Sequence, residues 1–176
     1  MIMESAIIIV LLAFLLGTAV MTDLRLSRIP NWLTFPAMTI ALGAHMWTNG
    51  VAGLFFSLTG LGAGFALFLI IYLAGHIGAG DVKLMAAVGA LMGPYGALLS
   101  GMLAMVVGGG YALGAMCYQW GFSNAGRKLV AGVQGVFLTG GKGSAQELAL
   151  PFRLRYALAI AGGTLLFLAG LHPLGR

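Results

Sequence analysis

The chain contains two aspartates, and both stand beside long apolar runs. Asp23 lies in "TDLRLSRIPNWLTFP", Thr22 to Pro36, and Asp81 lies in "GHIGAGDVKLM", Gly75 to Met85. An ionisable side chain at membrane depth is a functional hypothesis by default, because it costs about 2.5–3.5 kcal/mol at the bilayer centre. Both aspartates are nearer the edge of a span, where the cost is smaller. Two carboxyl groups held within a few ångströms cannot easily both ionise, so one keeps a proton while its partner acts as a base. Such a pair can hydrolyse a peptide with an activated water. The base takes a proton from water and the acid polarises the scissile carbonyl. The plain alternative is that each is a helix-end acid at the interface. Asp81 suits a cap on the helix that follows it, with its carboxylate favoured by the helix dipole.

Other catalytic sets are weaker. Ser27, Ser57, Ser100, Ser123 and Ser144 have no His/Asp partners nearby in sequence, and the single cysteine, Cys117, sits in an apolar run. No Cys/His set has metal-ligand spacing. His76 reads as an interfacial histidine. Gly60-x-Gly62-x-Gly64 has no strand before it, so it is not a dinucleotide fingerprint. "GGKGS", Gly140 to Ser144, lacks the first glycine and the Ser/Thr of a phosphate loop.

The elements that must position the aspartates are transmembrane helices. The chain has 176 residues, 60% of them hydrophobic and 7% charged. A soluble domain carries about 25% charged residues. A polytopic all-α bundle in one domain, residues 1–176, is therefore expected, and nucleic-acid binding is not. The N-terminus has Glu4 and no early Lys or Arg, so it reads as a retained transmembrane helix rather than a secretory signal. Apolar runs of spanning length, about 17–25 residues, are expected at about 6–22, 32–48, 53–73, 95–118 and 155–171. The run at 82–92 is shorter, about 16 Å long as a helix. It is either a short span in a thinned region or a re-entrant piece packed inside the bundle. "GPYG", Gly93 to Gly96, ends it.

Basic residues test the count. With six crossings, Arg25, Arg28, Lys83, Arg127, Lys128, Lys142, Arg153 and Arg155 fall on one side, and only Arg176 falls on the other. The positive-inside rule makes the rich side cytoplasmic and the N-terminus external. Both aspartates then lie at the cytoplasmic level, while His45 and His172 fall outside. In the long link, residues 120–150, Leu129, Val130, Val133, Val136 and Phe137 recur at helical spacing, which suits an amphipathic helix in the headgroup layer. Gly60/Gly64, Gly89/Gly93 and Gly110/Gly114 are small-xxx-small pairs that let helices approach closely.

These residues carry a resemblance. "GAGD", Gly78 to Asp81, matches the Gly-x-Gly-Asp signature of intramembrane aspartyl proteases. Its extension "GAGDVKLMAAVGALMGP" resembles the second catalytic motif of bacterial type IV prepilin peptidases, and "TDLRLSRIPNWLTFP" resembles the first. The resemblance implies that Asp23 and Asp81 are the catalytic pair. It implies supporting roles for Gly78, Gly80, Pro30 and Asn31, whose glycines admit a close backbone. It also implies a substrate with a short basic leader, cut on the cytoplasmic side of the bacterial inner membrane just before a hydrophobic helix. No metal or organic cofactor is implied. With one cysteine, the chain is similar to the short form that serves Flp (tight-adherence) pili and lacks a methylase domain. It departs from that form at Arg155-Tyr156, where Pro-Tyr is usual, which leaves the start of the last helix open.

Lys83 stands two residues from Asp81 and points elsewhere on a helix. It either anchors to headgroups or gives the carboxylate electrostatic support. The partners expected are the prepilin helix in the bilayer and anionic lipids, which would offset the positive cytoplasmic face. Two other classes stay open. One is a small carrier with the aspartates as ion sites, although no internal repeat is seen. The other is a scaffold subunit of a secretion system.

Overall fold

A computed structural model describes residues 2–73, 77–120 and 156–170. Gly75, His76 and the link at 121–155, where the interfacial helix is expected, lie outside the described residues. The chain divides into two compact units. One comprises residues 1–108 with 155–176, and the other residues 109–154. The described part of the second unit, 109–120, is helical.

The described residues form four helices: α1 (Ile2–Leu26), α2 (Asn31–Leu73), α3 (Ala79–Trp120) and α4 (Tyr156–Leu168). Segments Ile7–Leu26, Asn31–Leu73 and Ala79–Ala112 are long and apolar enough to cross a membrane. The first helix outruns its apolar stretch. Asp23, Leu24, Arg25 and Leu26 contain no breaker, and α1 stops only where Ser27 turns left-handed, with φ 51°. Asp23 is therefore inside the last turn of α1, not beyond it.

The two expected loops at 48–53 and 93–96 are far tighter than a loop. Only Gly50 leaves helical geometry in α2 (φ 59°, ψ −142°), and only Gly93 does so in α3 (φ 75°, ψ 179°). A positive φ of this kind is open to glycine and costly for other residues. Each helix thus folds into two arms, 31–49 with 51–73 and 79–92 with 94–120. The fold is tight enough that a Cβ on Gly89 would lie 3.1 Å from that of Ala97.

The short arm 79–92 is the centre of the first unit. From Asp81 to Leu91 every residue except Lys83 is buried. A helix that is apolar all round needs protein on every side, and this explains how so short a run survives. It is packed inside the bundle. Gly60 and Gly64 on the 51–73 arm make the closest approach to it. A Cβ on Gly60 would strike the Gly89 carbonyl, and one on Gly64 would strike that of Met85. On α4, a Cβ on Gly163 would strike the backbone of Ala104. Gly110 and Gly114 have no close neighbour among the described residues.

The reversal at Gly93 leaves carbonyls without helical donors. Pro94 has no N–H to give Ala90, and within a bilayer no water replaces it. The Ser57 hydroxyl donates to the Ala90 carbonyl at 2.8 Å, and His45 Nε2 lies 3.1 Å from that of Leu91. Both side chains are buried, and His45 also meets the Phe56 ring edge-on at 5.3 Å. These polar residues close the Gly93 end of the arm. They belong to the backbone, not to a catalytic set.

Glycines 60 and 62 give a paired test. Gly60→Ala places a methyl against backbone and should lower stability by about 1–3 kcal/mol, the usual cost of overpacking. Gly62 has open space beside it, so Gly62→Ala should be neutral or stabilising by up to about 1 kcal/mol. Thermal unfolding of the two variants in detergent measures the difference.

Candidate active site

Asp23 and Asp81 are each 8% exposed. They are far apart in sequence, yet their charges interact in the fold. Two helix ends place them. Asp23 comes from the last turn of α1 and Asp81 from the first turn of α3.

The junction between α1 and α2 is short and built from local chemistry. Ser27 N–H donates to the Asp23 carbonyl at 2.9 Å as α1 ends. Pro30, whose φ is fixed by its ring, leads into α2, and its carbonyl accepts from Leu33 N–H at 3.1 Å. At α3, Gly78 precedes the first helical residue. Its N–H donates to Asp81 Oδ2 at 3.0 Å, while Asp81 N–H donates to the Gly78 carbonyl at 3.1 Å. The side-chain bond is one half of a capping box; the other half is missing because Gly78 has no side chain.

The capping explanation therefore accounts for one oxygen of Asp81. It does not account for Asp23. An acid in the last turn of a helix faces the negative end of the dipole, which costs about 0.3–1 kcal/mol instead of stabilising. A buried acid at the unfavourable end of α1, beside another buried acid, needs a reason other than the helix it ends.

The α1–α2 turn rests directly on α3. Gly80 has no side chain because Ile29 occupies that space. A Cβ there would lie 3.1 Å from the Ile29 Cβ and 3.5 Å from its N. Three residues on, Lys83 Nζ donates to Asn31 Oδ1 at 2.9 Å and lies 5.5 Å from the centre of the Phe35 ring. Lys83 and Asn31, both singled out in the sequence, thus meet. The partners of Lys83 are an amide and an aromatic face, and no ion pair with Asp81 is seen among the described residues.

One residue at this site was not singled out for chemistry. Tyr156, the first residue of α4, lies within electrostatic reach of Asp81. Its ring fits against Gly108, where a Cβ would lie 2.8 Å from the ring, and meets Phe68 edge-on at 6.0 Å. The sequence signal was faint: one tyrosine at the start of the last apolar run. Residue 155, where the proline is missing, lies outside the described residues. Among the described residues, no group of three or more His, Cys, Asp or Glu could hold a metal ion.

Two acids from separate helices are thus buried near the turn that joins α1 to α2. A family model, the type IV leader peptidase family, matches residues 9–113. The chain belongs to the type IV leader peptidase family. The matched region holds both aspartates, both glycine reversals and the Lys83–Asn31 contact. Membership makes the chain a leader-peptidase-type protease, a hydrolase, and agrees with its membrane-spanning helices. Neither a curated protein nor a solved structure matches the chain.

The fit at Gly80 makes a family-specific test possible. Gly80→Val puts branched carbon into the space of Ile29 and should lift the turn away from α3. Leader cleavage should fall at least about tenfold, since misplacing reacting groups by about 1 Å can cost about 100-fold. Gly80→Ala should fall between Val and wild type. A cleavage assay run beside thermal unfolding separates misplacement from misfolding.

Proposed function

We propose that this protein is a membrane aspartyl endopeptidase that removes the short basic leader from type IV or Flp prepilins at the cytoplasmic face of the inner membrane. The single observation that carries this reading is the pair Asp23 and Asp81, each buried at a helix end and within electrostatic reach of the other, in a chain of the leader peptidase family. Six crossings, with the N-terminus outside, put this pair at the cytoplasmic level and keep most basic residues on that side.

The reaction needs only the two carboxyl groups and water. The pair holds one proton between its members. The ionised carboxylate takes a proton from water as the water oxygen bonds to the scissile carbonyl carbon. The protonated partner donates a hydrogen bond to the carbonyl oxygen. Collapse breaks the C–N bond, and a carboxyl proton passes to the leaving amine. The products are the free leader and a pilin helix with a new N-terminus. The pilin helix reaches the site from the bilayer, so apolar partitioning supplies most of the binding. An ionised aspartate adds local attraction for the basic leader.

The test uses the purified protein with a candidate pilin precursor in detergent, read as a leader-length mobility shift. Wild type should cleave. Asp23→Asn and Asp81→Asn should each abolish cleavage while leaving the helical content intact. Cleavage that survives either change sinks the dyad. A carrier or scaffold would give no shift in any variant.

Lipid composition gives a second test. The positive cytoplasmic face repels a basic leader unless anionic headgroups screen it. Turnover in liposomes should change as the anionic lipid fraction is raised at constant protein and precursor. A flat response removes the lipid from the mechanism.

A further inference from the structure

The Lys83–Asn31 contact joins the two aspartate-bearing segments. Asn31 is the first residue of α2 and is tied through a four-residue turn, 27–30, to the end of α1 that carries Asp23. Lys83 is two residues past Asp81 on the buried arm of α3. On a helix, that offset turns the ammonium away from the carboxylate, and the hydrogen bond it makes is to Asn31 Oδ1 at 2.9 Å. Lys83 is the only residue from Asp81 to Leu91 that is not buried, so its stem runs out along the arm to reach the turn. The Phe35 ring, one helical turn beyond Asn31, lies 5.5 Å from the same ammonium.

A second contact brackets Asp81 on its other side. Ile29 rests on Gly80. The turn is thus held to α3 at two points, one residue before Asp81 and two residues after it. Ile29 on Gly80 is an apolar contact and is non-directional. It sets how near the turn approaches but leaves it free to slide along α3. The hydrogen bond is directional and fixes the register.

Resting on the aspartyl protease reading, we propose that Lys83 and Asn31 form a latch that fixes the register of the α1–α2 turn on α3, and with it the separation of Asp23 from Asp81. Lys83 is a positioning residue. It acts on the turn and not on the Asp81 carboxylate, the leader or a lipid headgroup. The latch also accounts for the presence of an amide at the start of α2, where α3 would otherwise leave a lysine over an aromatic face alone.

Kinetics and a distance measurement test this together. The kinetic probe is a purified precursor polypeptide with a basic leader ahead of an apolar helix. Lys83→Met and Asn31→Leu should each lower kcat about 10–100-fold and change KM by less than about threefold, since the latch sets geometry and not binding. The double variant should be no slower than the slower single variant, as expected for two residues sharing one interaction. Asn31→Asp keeps an acceptor for the ammonium and should retain most of wild-type kcat. Thermal unfolding of all four should show folded protein.

The distance arm does not depend on cleavage. With Cys117 replaced by serine, spin labels at exposed Arg25 and Ala79 report the spacing of the two helix ends. The distribution should be narrow in the parent and broader or shifted in Lys83→Met and Asn31→Leu. Independent, multiplying effects of the two single variants would overturn the latch. So would a rise in KM alone on Lys83→Met, which would place the lysine on substrate, or an unchanged distance distribution. If the parent cleaves nothing, the protease reading fails, and the distance arm still decides whether the latch exists.

Discussion

The structure depends on one constraint: a short apolar helix must have all of its backbone and side chains satisfied by protein. The arm 79–92 cannot span a bilayer comfortably by itself. It is stable because other helices surround it. Gly60 and Gly64 let the 51–73 arm reach its backbone, and Ser57 and His45 meet carbonyls exposed by the reversal at Gly93. Where this arm begins, Asp81 is buried within electrostatic reach of Asp23. Packing and chemistry are two ends of one element.

The two ends are built from opposite materials. At the Gly93 end, buried polar side chains answer the needs of the main chain, and each has a backbone carbonyl as its partner. At the Asp81 end, the polar groups exceed what the main chain requires. Gly78 occupies one carboxylate oxygen of Asp81. Asp23 sits at the end of a helix where its charge is disfavoured.

The turn between α1 and α2 connects the helix that carries Asp23 to the one that packs on α3. It is short, begins with Ser27 in a left-handed conformation, and ends with Pro30. Short and conformationally restricted segments transmit position well. Contacts made by Ile29 and Asn31 with α3 are therefore felt at Asp23, a few residues back along α1. A pair of carboxyl groups on different helices needs such a link, because their separation is set by packing and not by covalent geometry.

By itself the sequence determined the class of the fold and pointed to the two aspartates. Composition excluded a soluble globule, apolar runs marked the helices, and two extended motifs pointed to the family later matched over residues 9–113. These features are local: they depend on what a residue is and on what stands within a few positions of it. Tertiary structure alone decided that the short arm is packed inside the bundle and that Lys83 reaches Asn31. It alone brought Tyr156 toward Asp81. The reason is physical. Spacing along a helix fixes which face a residue occupies, but the partner on that face is chosen by how separate helices pack, and no pattern within one segment records that choice.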